Sequence, residues 1–262
     1  MNKQSEINKK AWSQKTFEAW KNFLGEPADV AEDMINSPEY YLRRFLDDLG
    51  EVAGKKVVNL LGSNGKKAIP LAILGANVTV VDISKENRDY AMAVAKEARV
   101  ELEYIVSDVL SLKVEEQKEK YDIAFLEGGI LHYFDNLDEL SEILYNILSY
   151  GGKLVLNDFH PIRKIFSERD LFSNKFNPTE TTGNYFETDL IYCDVPYKKF
   201  VSNRKKTFDK CCLRLWTLGE IVTSLGKAGF VIEKLKEMPR FDQYKNIPGE
   251  FTIVAYKYKI KK

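Results

Sequence analysis

The stretch Lys55-Lys56-Val57-Val58-Asn59-Leu60-Leu61-Gly62-Ser63-Asn64-Gly65-Lys66-Lys67-Ala68 joins a short apolar run to a glycine-bearing turn and then to a helical spacing of apolar residues. Val57 to Leu61 reads as a strand, and Ala68, Leu71, Ala72 and Leu74 mark the buried face of a helix stopped by Gly75. The unit then repeats. Asn77 to Val81 gives a second strand ending at Asp82, and Ser84 caps a helix running to about Ala98. Leu102 to Val106 makes a third strand ending near Asp108, and Tyr121 to Leu126 a fourth. A helix over Leu137 to Leu148 leads through Gly151-Gly152 to a fifth strand, Lys153 to Leu156. Short apolar runs alternating with amphipathic segments predict βαβ units and a parallel sheet, an α/β fold with helices on both faces.

Outside this core the pattern changes. Residues 5–24 and Pro38 to Leu49 read as helices ahead of the first strand, the second with Ser37 as N-cap and Pro38 at the first helical position. Trp12 and Trp20, about two turns apart, are expected to bury one face of the first helix. Residues 161–216 carry Pro161, Pro178 and Pro196 and scattered aromatics without a sustained period, too long a stretch for a bare loop, and are expected to form a small inserted subdomain. Regular structure resumes at Thr217, which with Glu220 forms a capping box for a helix ending near Gly226 to Gly229. Phe230 to Leu235 and Phe251 to Tyr258 read as closing strands. The expected division is residues 1–50 as a helical cap, 51–160 as the core, 161–216 as an insertion and 217–262 as completion of the core.

Composition narrows the function classes. The 262 residues are 44% hydrophobic and 30% charged, with 39 basic against 39 acidic side chains, an ordinary globular balance. Zero net charge argues against nucleic-acid binding through a general basic field. Lys198-Lys199, Arg204-Lys205-Lys206 and Lys257 to Lys262 are read as solvated edges. The polar N-terminus lacks the apolar core of a signal peptide and no run spans a bilayer, so a cytoplasmic location is expected. Cys193, Cys211 and Cys212 form no CxxC pair and are read as reduced thiols, the last two packing beside Trp216. With two histidines and no neighbouring ligand pattern, no metal site is expected.

In an open α/β sheet the ligand lies beyond the carboxyl ends of the strands, where the strand order reverses. Four loops leave such ends here. Gly62-Ser63-Asn64-Gly65 suits close backbone approach at a helix N-terminus. Asp82, about 20 residues beyond Gly62, is placed to accept ribose hydroxyl protons, because Ser84 is available for the cap. Asp108, beside Val109, suits an exocyclic amino group with apolar neighbours around a purine. Glu127-Gly128-Gly129-Ile130-Leu131-His132 clears space and brings two ionisable groups.

With these four loops together, residues 50–160 resemble the class I S-adenosylmethionine-dependent methyltransferases, through Val57 to Gly65, Val78 to Ser84, Val106 to Val109 and Leu148 to Leu156. The resemblance implies a Rossmann-like seven-stranded sheet with the last strand antiparallel, and a lid made by the insertion and the N-terminal helices. It implies S-adenosyl-L-methionine as cofactor, held by Asn59, Gly62, Gly65, Asp82, Ile83, Asp108, Val109 and Glu127. The acceptor implied is a small molecule. The first loop departs from the family pattern, with Asn59 at its acidic position and Leu61 and Ser63 at its first two glycines.

Methyl transfer needs alignment and exclusion of water, and a base only for some acceptors. His132 and His160 are the candidate catalytic residues, each following a strand end and titrating near neutrality, with Asp158 and Glu127 as further candidates. The competing reading of His132 is simple packing beside Tyr133 and Phe134. Tyr185, Phe186, Tyr192, Tyr197 and Phe200 are candidates for a substrate pocket or for the insertion's own core. Two alternatives remain open: an oxidoreductase, with Asp82 on a nicotinamide ribose and Lys66 and Lys67 on a phosphate, and a binding protein that holds S-adenosylmethionine without catalysis.

Overall fold

The computed structural model describes residues 1–166, 183–202, 207–240 and 245–259. Pro178, the basic run Arg204-Lys205-Lys206 and the closing Lys261 and Lys262 lie outside them. The sheet strands are β1 (Lys56–Leu60), β2 (Asn77–Asp82), β3 (Glu103–Val106), β4 (Tyr121–Glu127) and β5 (Leu148–Phe159). β6 (Ile191–Cys193) and β7 (Cys211–Leu213) pair separately, and β8 (Val231–Met238) and β9 (Glu250–Tyr256) close the main sheet. Its order is β3-β2-β1-β4-β5-β9-β8, seven strands with β9 antiparallel to both β5 and β8. The order reverses between β1 and β4, so a crevice opens at their carboxyl ends.

The helices are α1 (Lys3–Ala11), α2 (Thr16–Leu24), α3 (Pro27–Asn36), α4 (Pro38–Leu42), α5 (Leu46–Leu49), α6 (Ala68–Ile73), α7 (Lys85–Glu97), α8 (Val114–Gln117), α9 (Leu137–Ile147) and α10 (Leu218–Ala228). Alternation along the strands sends Val57, Ile123, Phe125 and Val155 into one apolar layer, shared with α2, α3, α6 and α7. Val58, Leu60, Ala124 and Leu126 point the other way, against α9 and α10. The expected caps at Ser84 and at Thr217 with Glu220 are both formed. Among the described residues no helix is long and apolar enough to cross a membrane.

Three expectations need correction. The helix expected over 5–24 is two helices, because Lys15 takes a left-handed φ of 58°. Trp12 and Trp20 therefore leave different elements, yet their rings stack 6.5 Å apart. The helix expected over Pro38 to Leu49 is broken around Phe45, which leaves helical geometry to bury its ring edge-on against Phe125 at 5.2 Å; Ser37 makes no side-chain cap. β5 starts directly after α9 and contains Gly151 and Gly152, where a Cβ on Gly152 would come 2.8 Å from the Ser149 carbonyl. α3 was not foreseen, although Pro27 at its start and buried Val30, Ala31 and Met34 carry the signal.

The inserted segment is bound to the N-terminal helices. The Asn8 amide accepts from the Cys212 backbone N–H at 2.8 Å and donates to its carbonyl at 2.9 Å. Gln4 donates to the same carbonyl at 3.0 Å, and the Tyr197 hydroxyl donates to the Ala11 carbonyl. Phe23 of α2 stacks on Phe200 with ring centroids 3.9 Å apart.

The turn after β1 keeps glycine-like backbone without glycine. Leu61 and Ser63 have φ of 51° and 48°, held by Leu61 N–H on the Val81 carbonyl (2.7 Å), Ser63 N–H on Asp82 Oδ2 (3.1 Å) and the Tyr104 hydroxyl on the Ser63 carbonyl (2.6 Å). Left-handed backbone costs a residue with a Cβ about 1–2 kcal/mol. Ser63→Gly removes that cost and leaves all three bonds in place, while adding unfolded-state freedom. The expected outcome is a net gain of up to about 1 kcal/mol in urea unfolding. A loss of stability would show that the Ser63 backbone is not under strain.

Candidate active site

The crevice widens into a cleft of about 420 Å³ bordered by the carboxyl ends of β1 to β4. Asn59, Gly62, Asp82, Ile83, Asp108, Val109 and Glu127 all line it. Gly65 does not. Its φ of +78° turns the chain into α6, and a Cβ there would meet Ala91 at 3.0 Å and Ile69 at 3.1 Å, so it serves helix packing. Gly62 leaves room for a neighbour, since a Cβ would lie 2.6 Å from Asn59 Oδ1.

The polar side chains differ in how fully they are engaged. Asp82 is buried, which pushes its carboxyl up; its Oδ1 accepts from Ser84 N–H at 2.9 Å and Asn87 Nδ2 at 3.0 Å, and its Oδ2 from Ser63 N–H. Asn59 donates from Nδ2 to the Phe125 carbonyl across the β1–β4 pair at 3.0 Å, which a carboxylate cannot do. Among the described residues its Oδ1 is buried without a hydrogen-bond partner, and so is Asp108 Oδ2, although Asp108 Oδ1 accepts from Leu110 N–H at 3.2 Å. A buried acceptor left unpaired costs about 1–3 kcal/mol, so these oxygens favour a ligand that donates to them. Lys66 lines the cleft; Lys67 does too, but its ammonium donates to the Tyr41 carbonyl and lies over the Phe45 ring.

The far end is aromatic and cationic. Tyr133, Phe134, Phe159, Arg163 and Arg240 line it there, while Trp20 lies nearer Asp82, its indole N–H donating to Asn87 Oδ1 at 2.7 Å. Gly129 (φ +83°) is required, because a Cβ would come 2.4 Å from the Phe159 ring. Asp158 supports this loop without facing the cleft. Its Oδ2 accepts from Ile130 and Leu131 N–H at 2.9 and 2.8 Å, its Oδ1 from Phe159 N–H at 2.6 Å, and burial holds its carboxyl up at about 6.

None of the five aromatics weighed for a pocket or for the insertion's own core lines the cleft. Tyr197 is wholly buried, Phe186 and Tyr192 are exposed, Phe200 stacks on Phe23, and the Tyr185 hydroxyl accepts from Leu218 N–H. Cleft residues the sequence reading missed include Phe159, Arg163 and Arg240. The signal available was their position just past the ends of β5 and β8.

Residues 60–156 match the family described as methyltransferase domain. The match covers 97 of the 262 residues, all of them in the core. The chain is 24% identical over 147 residues to a demethylmenaquinone methyltransferase of Renibacterium salmoninarum, covering 53% of this chain and 59% of that protein. It is 22% identical over 131 residues to a ubiquinone biosynthesis O-methyltransferase of Rickettsia canadensis, covering 49% and 52%. The chain thus spans little more than half the length of these curated relatives. Among solved structures, an S-adenosylmethionine-dependent methyltransferase from Mesorhizobium loti aligns with a TM-score of 0.62 at 20% identity over 84% of this chain and 97% of that one. A magnesium protoporphyrin IX methyltransferase from Synechocystis with bound SAH aligns at 0.60 and 16% identity over 97% and 99%. At such identities these likenesses establish the fold.

Neither His132 nor His160 borders the main cleft; both line a small neighbouring pocket of about 40 Å³. The His160 Nδ1 accepts from Ile162 N–H at 3.1 Å, capping the turn Pro161–Ile165, and its Nε2 lies 2.6 Å from Glu237 Oε1. His132 lies between Tyr133, at 4.5 Å between ring centroids, and Phe159, at 6.5 Å. Burial pushes its imidazole down to about 3. The expectation that one of them reaches the acceptor is therefore corrected: the loop after β4 turns His132 back against the Phe159 ring instead of into the cleft.

The His132 shift fixes a pH dependence. Its folded value of about 3 lies below the unfolded 6.5, so between them the unfolded state binds the extra proton and stability falls as the pH falls. Asp158 acts oppositely between about 4 and 6, its folded state holding the proton. His132→Phe should therefore remove part of the acid sensitivity, losing about 1–2 kcal/mol less than the parent protein between about pH 6.5 and 5 in urea unfolding. Equal losses would place a solvated imidazole at 132.

Proposed function

We propose that this chain is a cytoplasmic enzyme that uses S-adenosyl-L-methionine to methylate a small-molecule acceptor. The observation that carries this reading is the pair of unpartnered buried oxygens, Asn59 Oδ1 and Asp108 Oδ2, in the cleft at the strand-order reversal. Asp108 suits the adenine amino group, with Val109 and Ile83 against the ring, and Asp82, which already accepts three hydrogen bonds, has one lone pair on Oδ2 left for a ribose hydroxyl. Asn59 and the Gly62 turn suit the amino acid end. When bound, the cofactor supplies a methyl group on a positively charged sulfur.

The chain's own contribution is alignment and dryness. Trp12, Trp20 and Phe23 from the N-terminal helices and Pro196 and Lys199 from the insertion roof the cleft, the arrangement a lid requires. Glu127 is the carboxylate at the end where a methyl group would leave the cofactor, suited to orient an acceptor hydroxyl, amine or thiol. The curated relatives, a demethylmenaquinone methyltransferase and a ubiquinone biosynthesis O-methyltransferase, support a small-molecule acceptor. The nicotinamide reading is weakened by Lys67, whose ammonium is held by the Tyr41 carbonyl.

Isothermal titration with S-adenosylmethionine, its demethylated product and NAD tests the reading. The first two should bind and NAD should not. Asp108→Ala should weaken cofactor binding by about 10-fold to 100-fold, the loss of a hydrogen bond to a charged group. Absence of binding by the unmodified protein overturns the assignment. Amide exchange in residues 5–24 and 183–202 should slow when the cofactor product binds, and unchanged exchange in both segments would remove their role as a roof.

A further inference from the structure

α2 is fastened to the start of α7 at three points. At its N-terminus the Phe17 N–H donates to Glu86 Oε2 at 3.2 Å, with the Thr16 hydroxyl 3.1 Å from the same oxygen. Lys15 gives no side-chain cap, so this first-turn amide finds its acceptor on α7. At the other end the Tyr90 hydroxyl donates to the Gly25 carbonyl at 3.0 Å. In the middle the Trp20 indole N–H donates to Asn87 Oδ1 at 2.7 Å, and Asn87 Nδ2 donates in turn to Asp82 Oδ1 at 3.0 Å. Of the three ties, this one alone runs through the cleft wall: Trp20, Asn87 and Asp82 all line it.

The Asn87 amide can face only one way. An indole N–H donates and cannot accept, and Asp82 Oδ1, which also accepts from Ser84 N–H, serves as an acceptor. Oδ1 of Asn87 therefore belongs on Trp20 and Nδ2 on Asp82; turning the amide over sets donor against donor and acceptor against acceptor. Asn87 is 1% exposed and Asp82 6%, so water does not readily replace either partner. The other two donors to Asp82, the N–H groups of Ser63 and Ser84, are backbone groups of the loops after β1 and β2. Asn87 is the donor whose direction depends on a residue outside the sheet and its helices: without the indole, its amide loses the group that orients it. Buried hydrogen bonds linked in this way support one another.

We propose that Asn87 is a positioning residue that joins the roof to the nucleoside site: it holds Asp82 in place for a ribose hydroxyl while Trp20 of α2 is docked. Nucleoside binding and docking of α2 then favour each other, because a coupling between two sites is reciprocal. The assignment rests on reading Asp82 as the ribose acceptor. It makes an N-terminal helix part of the machinery that selects a ribose with its hydroxyls.

The full chain is titrated by calorimetry with adenosine, with dideoxyadenosine lacking both ribose hydroxyls, and with S-adenosylhomocysteine. Trp20→Phe keeps an aromatic ring and loses the indole N–H; Asn87→Leu keeps nearly the same shape and loses both bonds. The unmodified protein should bind adenosine at least about tenfold more tightly than dideoxyadenosine, and that preference should fall at least about threefold in each variant. A purely structural role would weaken both nucleosides alike and leave the preference unchanged. Adenosine and S-adenosylhomocysteine at saturation should each slow amide exchange across α2 in the unmodified protein, and slow it less in both variants. The exchange result with S-adenosylhomocysteine decides alone if the bare nucleosides bind too weakly to titrate, and Trp20→Phe decides alone if Asn87→Leu does not fold. The inference is overturned if a measured preference is the same in all three proteins, or if α2 responds to saturating ligand equally in the variants. Absence of binding by all three ligands overturns it together with the methyl-transfer reading. Adenosine binding that shows both effects in a protein that binds neither S-adenosylmethionine nor S-adenosylhomocysteine would sink the methyl-transfer reading and leave the Asn87 link standing.

Discussion

One buried carboxylate organises the end of the cleft at β1 and β2. Asp82 ends β2, and its two oxygens gather Ser63 from the turn after β1 and Ser84 and Asn87 from the start of α7. Two loops from different strands are thereby fixed to one point. The left-handed backbone at Leu61 and Ser63 persists because this carboxylate and the Val81 and Tyr104 bonds hold it. A carboxylate buried in this way needs its donors, so the loops and the acid stabilise one another.

The cleft holds both signs of charge. Asp82 and Asp108 stand at the ends of β2 and β3 and Arg163 and Arg240 past β5 and β8, while Lys66, Lys67 and Glu127 line it as well. The overall charge of zero hides this local arrangement.

The sheet was legible because buried parallel strands write themselves as short β-branched runs, and because Gly75, Ser84 and Thr217 with Glu220 are local stop and start signals that need no tertiary partner. Seven of the eight residues assigned to the cofactor line the cleft for the same reason: each leaves a strand end whose direction the pattern fixes. Gly65 was misread because a left-handed glycine looks alike in sequence whether it faces a ligand or a helix. The histidines were misread for a different cause, since strand-end position does not tell which way a loop turns its side chains. The broken first helix depends on Lys15 alone, a residue with no sequence signature of left-handed geometry. The arginines at Phe159 come together only through the antiparallel return of β9, which brings the end of β8 alongside that of β5.

The two-way bond between Asn8 and Cys212 joins positions 204 residues apart in sequence. During synthesis, α1 emerges first but has no partner for its amide until β7 has followed, long after β1 to β4 are available to pair. Contacts of such separation form late, because a long loop must close before they repay its entropy. The wall that α1 and β7 make together is thus the last to be raised, whereas α2 can settle on α7 earlier through Trp20 and Asn87. A ligand can enter before that last wall closes, so its capture and completion of the fold become two orders of the same assembly.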